Sequence, residues 1–450
     1  MEENLRSRGN ETVQHERVLL VSVMLPRSKA NPDDPLDELR SLARTVRAVV
    51  VDEMVAKRQD INPALYVGTG KAQEIALRCD QNDVDTIIFD NDLSPNQIRD
   101  LEEITKRKVI DRSELILDIF AAHARTNESR LQVELAQLEY TYPRLRRMWT
   151  HLERLAGGGS SGARAVGGIG TRGPGEKQLE IDRRLVQKRV SALKRELDEI
   201  DRRKVRTVRS RKDTYGVCLV GYTNAGKSTL MNLLTGADAY AADKLFATLD
   251  TKTRRWNVGE GQSALLSDTV GFIRDLPHHL VASFRATLEE AIHGDLLLHV
   301  ADASHERVDV QIEAVNSVLT ELEVNRDHVL LVLNKTDRII DPMTRTILRG
   351  KFPGALFVSA ATGEGTDALL ATVLHRSGGG PVRVTLRANC RNGKLMQTIA
   401  QHAQVRQQTY EDSTAIIDAT IPANRLAMLN SFGEDVEVVR TDDAGTDMGS

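Results

Sequence analysis

Hydrophobic and polar positions along the chain fall into successive regimes. Residues 16–23 read as a strand, apolar from Val18 to Val23 except at Ser22, and residues 35–46 then carry the spacing of a helix. The pair repeats, with strands predicted over 48–51, 84–89 and 108–110 and helices over 71–80 and 94–105. Strand and helix in alternation predict an α/β domain over residues 17–125 with a largely parallel sheet, because parallel neighbours need a crossover between them. Residues 1–16 are polar and predict a flexible N-terminus.

From Leu131 the period changes. Leu131, Leu135, Leu138, Tyr142, Leu145, Trp149 and Leu152 recur at alternating steps of four and three, and a second seam runs Leu179, Val186, Val190, Leu193, Leu197 and Ile200. Two helices folded back as an antiparallel coiled-coil hairpin over 126–213 would bury both seams. Pro143 predicts a kink in the first helix. The glycine-rich loop 157–175 between the helices predicts no helix, and its small residues let a backbone approach a crowded target closely. Basic residues up to Arg195 interleave with acids as on a solvated face, whereas the run from Arg202 to Lys212 is one-sided and offers cations to phosphates.

A buried strand over 215–220 runs into Gly221-Tyr222-Thr223-Asn224-Ala225-Gly226-Lys227-Ser228 and then a helical pattern from Leu230, the context of G-x-x-x-x-G-K-[ST]. Such a loop wraps polyphosphate with backbone N–H groups at a helix N-terminus, while Lys227 reaches the outer phosphates and the Ser228 hydroxyl ligates Mg²⁺. Phe246-Ala247-Thr248-Leu249-Asp250 follows in a polar connection, where Thr248 offers a hydroxyl to Mg²⁺ and an N–H to the γ-phosphate, with Thr251 and Thr253 as alternatives. A strand over 264–267 then ends in Asp268-Thr269-Val270-Gly271, with Asp268 placed for Mg²⁺ through water and the Gly271 N–H for the γ-phosphate. A strand over 329–333 ends in Asn334-Lys335-Thr336-Asp337, whose carboxylate accepts both N–H groups of a guanine edge. Adenine would leave a buried Asp337 poorly satisfied, so GTP and GDP are the predicted nucleotides. The turn Ser359-Ala360-Ala361 after the strand 356–360 brings a backbone N–H near Ala360 to guanine O6.

The four motifs, in that order, define a P-loop GTPase domain with a mixed, mostly parallel sheet over 214–377. Phe272 stands where a water-orienting glutamine would be expected, so no catalytic residue is certain. Lys227 and Thr248 support the transition state, intrinsic hydrolysis should be slow, and a partner or a monovalent cation near Asn224 completes the site. Arg274 reads as a switch-surface or partner contact rather than a catalytic arginine. A truncated phosphate loop, Gly68-Thr69-Gly70-Lys71, lacks the spacing and the following hydroxyl and reads as a strand-to-helix turn. A small α+β domain follows over 381–440, with strands at 382–386 and 413–420 and a helix at 393–405, and 441–450 predicts a disordered tail.

Composition narrows the setting. The 450 residues carry a net charge of −3, so any nucleic-acid surface is local. Three dispersed cysteines suit a reducing compartment, and no apolar run is long enough to span a bilayer. A cytoplasmic monomer is the expectation.

The motifs resemble the translation-factor-related GTPases. Gly168-Ile169-Gly170 with Arg172-Gly173-Pro174-Gly175-Glu176, the stretches 246–250 and 268–273, and the sequences at 66–68 and 131–138 are similar to the HflX family over nearly the whole chain. That resemblance implies a Mg²⁺-dependent GTPase that binds the large ribosomal subunit near its peptidyl-transferase centre and splits stalled ribosomes under stress, with peripheral association to ribosomes or membrane. It implies rRNA contacts through Gly168, Gly170, Arg172, Gly173 and Gly175. The Gly-Ser-rich piece around 157–165, Lys177, Thr251 and the long N-terminus depart from the family pattern. Two competing readings are a GTP-controlled binding module for a non-ribosomal RNA or protein partner, and an ATP-driven RNA remodeller using the loop at Gly68–Lys71.

Overall fold

The computed structural model describes residues 13–157, 174–210, 215–236, 245–246, 251–259, 262–274, 294–378, 381–411, 413–422, 429 and 432–440, apart from 27 and 29. The chain divides into two compact units: Met1–Ser210 with Ala241–Thr251 and Thr269–Glu289, and Arg211–Tyr240 with Lys252–Asp268 and Glu290–Ser450.

In the first unit, β1 (Arg17–Met24), α1 (Asp37–Thr45), β2 (Val49–Lys57), α2 (Thr69–Gln81), β3 (Thr86–Phe89), α3 (Pro95–Thr105) and β4 (Lys108–Asp111) alternate as the pattern predicts. The sheet order is β2-β1-β3-β4, all parallel. Central β1 is buried from Val18 to Val23, which is why its sequence shows no alternation. Ser94 starts α3 with a capping box closed by Gln97, and Pro95 follows at a position where a missing N–H costs nothing. The helix α4 (Arg112–His123) was not predicted. It buries Leu115, Ile116, Leu117, Ile119 and Phe120, a nearly all-round burial that erases the amphipathic signature.

Helices α5 (Asn127–Gly157) and α6 (Pro174–Ser210) pack through Leu131, Leu135, Leu193 and Leu197, with Leu138, Val190 and Ile200 against them. Arg189 to Glu134 at 2.7 Å and Lys194 to Glu139 at 2.8 Å flank the seam. The helix α5 runs through Pro143 to Gly157. One expectation is corrected: α5 ends at Gly157 and α6 opens at Pro174, so both ends of the stretch 157–175 are helical rather than loop. Proline at the first helical position is pre-set for it, which overrides the glycine after it. Gly168, Gly170, Arg172 and Gly173 lie outside the described residues, as do 1–12, 211–214, 441–450 and the seam side chains of Leu145, Trp149, Leu152 and Leu179.

The second unit holds β5 (Tyr215–Gly221), α7 (Lys227–Thr235), β6 (Lys252–Gly259), β7 (Gln262–Asp268), β8 (Leu296–Asp302), α8 (Val308–Glu321), β9 (Val329–Asn334), α9 (Pro342–Lys351), β10 (Leu356–Phe357) and α10 (Thr366–Gly378). Its sheet runs β10-β9-β8-β5-β7-β6, parallel except for β6 against β7. Val217, Leu219, Leu266, Leu298, Val300 and Val332 form the core under α7 and α10, with Trp256 sealing the β6 side. Beyond it, β11 (Pro381–Asn389), α11 (Gly393–His402), β12 (Gln404–Glu411), β13 (Thr414–Pro422) and β14 (Val436–Arg440) build an antiparallel sheet ordered β12-β13-β11-β14. One face of it buries Val384, Leu386, Ile417 and Ile421 with Leu395 and Ile399 of α11.

Candidate active site

The phosphate loop is shaped by what its glycines avoid. Gly221 ends β5 at φ +150°, and a Cβ there would collide with the Val300 carbonyl of β8. Gly226 turns at φ +90°, where a Cβ would strike the Asn334 side-chain nitrogen. Between them Asn224 sits at φ +61°, a left-handed conformation that asparagine tolerates better than most residues. The loop therefore curls against the ends of β8 and β9, and α7 begins at Lys227.

Lys227 is buried. Its Nζ donates to the carbonyls of Gly221 at 3.1 Å and Tyr222 at 3.0 Å. Burial lowers its pKa to about 8, against the opposing pull of Asp268. The Ser228 hydroxyl donates to Asp268 Oδ2 at 2.6 Å, and Asp268 is wholly buried at the end of β7. A hydroxyl and a carboxylate converging beside a phosphate loop are the hard oxygen donors that Mg²⁺ selects, so the residues present fit that ion. His299 of β8 is also buried, and burial followed by the nearby Lys227 charge lowers its pKa to about 4.

Asn334 ties the two halves of the pocket. Its Nδ2 donates to the Ala225 carbonyl at 2.9 Å and its Oδ1 accepts from the Ala360 N–H at 2.9 Å. The Ala360 N–H, expected to face a guanine O6, is thus given to Asn334 in this structure. Asp337 is exposed, and Ser359 Oγ donates to its Oδ1 at 2.5 Å. Lys335, at φ +61°, pairs with Asp302 at 2.8 Å. Asp302 was missed in the sequence, although it closes the apolar run of β8 as Asp268 closes that of β7. Ala361 follows Ala360 in the same turn, and Thr336 is held by its N–H to the Val358 carbonyl.

The switch residues divide. Ala247, Thr248, Leu249 and Asp250 lie outside the described residues. Phe246 is buried and meets Phe120 edge to face at 4.7 Å. Thr269, Val270, Gly271 and Phe272 are buried. Arg274, expected at a switch or partner surface, is also buried and lies at 3.2 Å from Asp90 and 3.5 Å from Glu38. No spacing in the sequence connects residues that far apart. At the shorter loop, Lys71 is bonded to Glu74 of its own helix at 2.7 Å, and Gly68 begins α2 with φ +84° as a turn.

This fold, with its glycine-shaped loop, buried lysine, Ser228–Asp268 pair and Asn334 tie, defines a P-loop GTPase. Three family models match in succession: "GTP-binding GTPase N-terminal" over residues 33–121, "GTP-binding GTPase Middle Region" over 123–211 and "50S ribosome-binding GTPase" over 216–335. The chain is 42% identical over 423 residues to GTPase HflX of Lacrimispora saccharolytica, covering 92% of this chain and 95% of that protein. It is 44% identical to the HflX of Magnetococcus marinus, over 86% and 88% of the two chains, and 42% identical to that of Escherichia coli, over 89% and 92%. The chain belongs to the HflX GTPase family, and it hydrolyses GTP. Likeness to solved structures is distant: a complex of SsGBP with GDP aligns with a TM-score of 0.43 at 24% identity, over 80% of this chain and 98% of its own. No helix among the described residues is long and apolar enough to cross a membrane.

Proposed function

We propose that this chain is a Mg²⁺-dependent GTPase switch that binds the large ribosomal subunit in its GTP state, splits or rescues stalled ribosomes under stress, and leaves on hydrolysis. The observation that carries the reading is the match of residues 216–335 to a family described as a 50S ribosome-binding GTPase. Support comes from the helical pair α5 and α6, packed through Leu131, Leu135, Leu193 and Leu197 and joined in the sequence by the glycine-rich stretch 158–173.

In this account Gly221 to Ser228 cradle the phosphates, with Lys227 charged at neutral pH. Ser228 and Thr248 would hold Mg²⁺, with Asp268 holding it through water, and the ion would supply positive charge to the phosphates. Thr269 to Gly271 address the γ-phosphate side, Asn334 to Asp337 and Ser359 to Ala361 the base. Phe272 is apolar and buried, so it orients no water, and the ribosome, with a monovalent cation near Asn224, completes the hydrolytic site. Gly168, Gly170, Arg172, Gly173 and Gly175 contact rRNA. The protein works in the cytoplasm as a monomer with peripheral attachment to ribosomes.

Sedimentation with purified large subunits tests it. Binding in a non-hydrolysable GTP analogue and release in GDP are expected; equal binding in both states would reject the switch.

A further inference from the structure

The segment after Asp268 belongs to the first compact unit, whereas Asp268, the phosphate loop and the base-reading strand ends belong to the second. Six residues beyond Asp268 the chain is fastened at Arg274. The Arg274 guanidinium reaches Asp90 at 3.2 Å and Glu38 at 3.5 Å. Arg112, the first residue of α4, meets the same two carboxylates at 2.6 Å each, and its Nη2 donates to the Arg274 backbone carbonyl at 3.2 Å. Side-chain exposure is 3% for Arg112, 9% for Arg274, 6% for Asp90 and 12% for Glu38. Two cations and two carboxylates are thus mutually compensated away from water, where one-sided removal is severely unfavourable. Between Asp268 and Arg274, Val270, Phe272 and Ile273 are buried as well. A second anchor lies on the same helix: Phe120 of α4 packs on Phe246, which precedes Thr248.

We propose that Arg112 is a positioning residue for GTP hydrolysis. By gripping the Arg274 carbonyl and both acids that hold the Arg274 side chain, it keeps Thr269 to Gly271 ordered before the γ-phosphate arrives. A turn ordered beforehand spares the cost of ordering it at the moment of binding. The benefit falls on GTP alone, because contacts to the inner phosphates and the base come from other segments. The inference rests on the reading of Gly271 as a γ-phosphate contact.

The test compares affinities for a non-hydrolysable GTP analogue and for GDP. Arg112→Met combined with Glu38→Gln removes one cation and one carboxylate together, so Arg274 keeps Asp90 as its partner and no buried charge is left unpaired. The analogue should bind on the order of ten-fold more weakly while GDP affinity stays within about two-fold, and single-turnover hydrolysis should slow. Arg112→Lys, which keeps the charge, should recover most of the ratio and guards against misfolding of the double variant. A merely structural role would move both affinities together, and that outcome, or a ratio shifted toward the analogue, overturns the proposal. Gly271→Ala separates the premises: if it lowers the ratio and the Arg112 variants do not, positioning fails; if it leaves the ratio unmoved, the γ-phosphate reading fails and the proposal with it.

Discussion

Nucleotide binding by this protein should be linked to protonation of Lys227. Burial brings its pKa from 10.5 to about 8. A shift of that size corresponds to about 3 kcal/mol against the charged form, held in place by two carbonyl bonds from Gly221 and Tyr222. Phosphates placed beside the ammonium favour the charge and raise the pKa again, so binding takes up a proton wherever the free lysine is partly neutral. From pH 7 to 8.5 the protonated fraction of the free protein falls from about nine-tenths to about a quarter, so GDP affinity should drop about four-fold. Calorimetry at pH 8 in two buffers of different ionisation enthalpy should report uptake of about half a proton per GDP. Lys227→Arg carries a charge that does not titrate in this range, so its residual affinity should lack the drop. A flat profile in the wild type, with no proton uptake at pH 8, would refute the buried-lysine argument.

Four further outcomes follow from single contacts. Asn334→Ala removes the bonds to Ala225 and Ala360 and should lower stability by about 2–4 kcal/mol in urea denaturation, with guanine nucleotide affinity falling in parallel. Gly226→Ala places a Cβ against Asn334 at φ +90°, so it should cost about 1–3 kcal/mol and abolish detectable GDP binding by fluorescence titration. Leu193→Ala opens a cavity in the helical seam, where Leu193 is fully buried, and should cost about 2–5 kcal/mol. His299 is held neutral, with its pKa lowered from 6.5 to about 4. The unfolded chain therefore binds more protons between those values, so stability is full above pH 6.5 and should fall by about 3 kcal/mol as pH drops to 4. Acid titration of unfolding should show that loss, and His299→Gln should remove it.

Much of the site could be read from sequence because each motif is short and local. The phosphate loop, the Asp268 strand end and the N-K-x-D turn are carried by consecutive residues, and a buried strand feeding a glycine loop leaves a pattern that tertiary contacts do not blur. The alternating N-terminal domain was legible for the same reason. What escaped lies at longer range or lacks periodicity. The cluster of Glu38, Asp90, Arg112 and Arg274 joins four separate stretches, and no spacing announces it. Helix α4 is buried nearly all round, and strand β12 is exposed along its whole length, so neither shows an amphipathic rhythm.

Phe272 is buried and apolar and orients no water, so the ribosome is proposed to complete the hydrolytic site. GTP turnover with and without purified large ribosomal subunits, with Asp337→Asn as a base-specificity control, tests it most directly. Strong stimulation of the wild type by large subunits is expected, with loss of that GTP-dependent stimulation in the variant. Turnover unchanged by large subunits would contradict it.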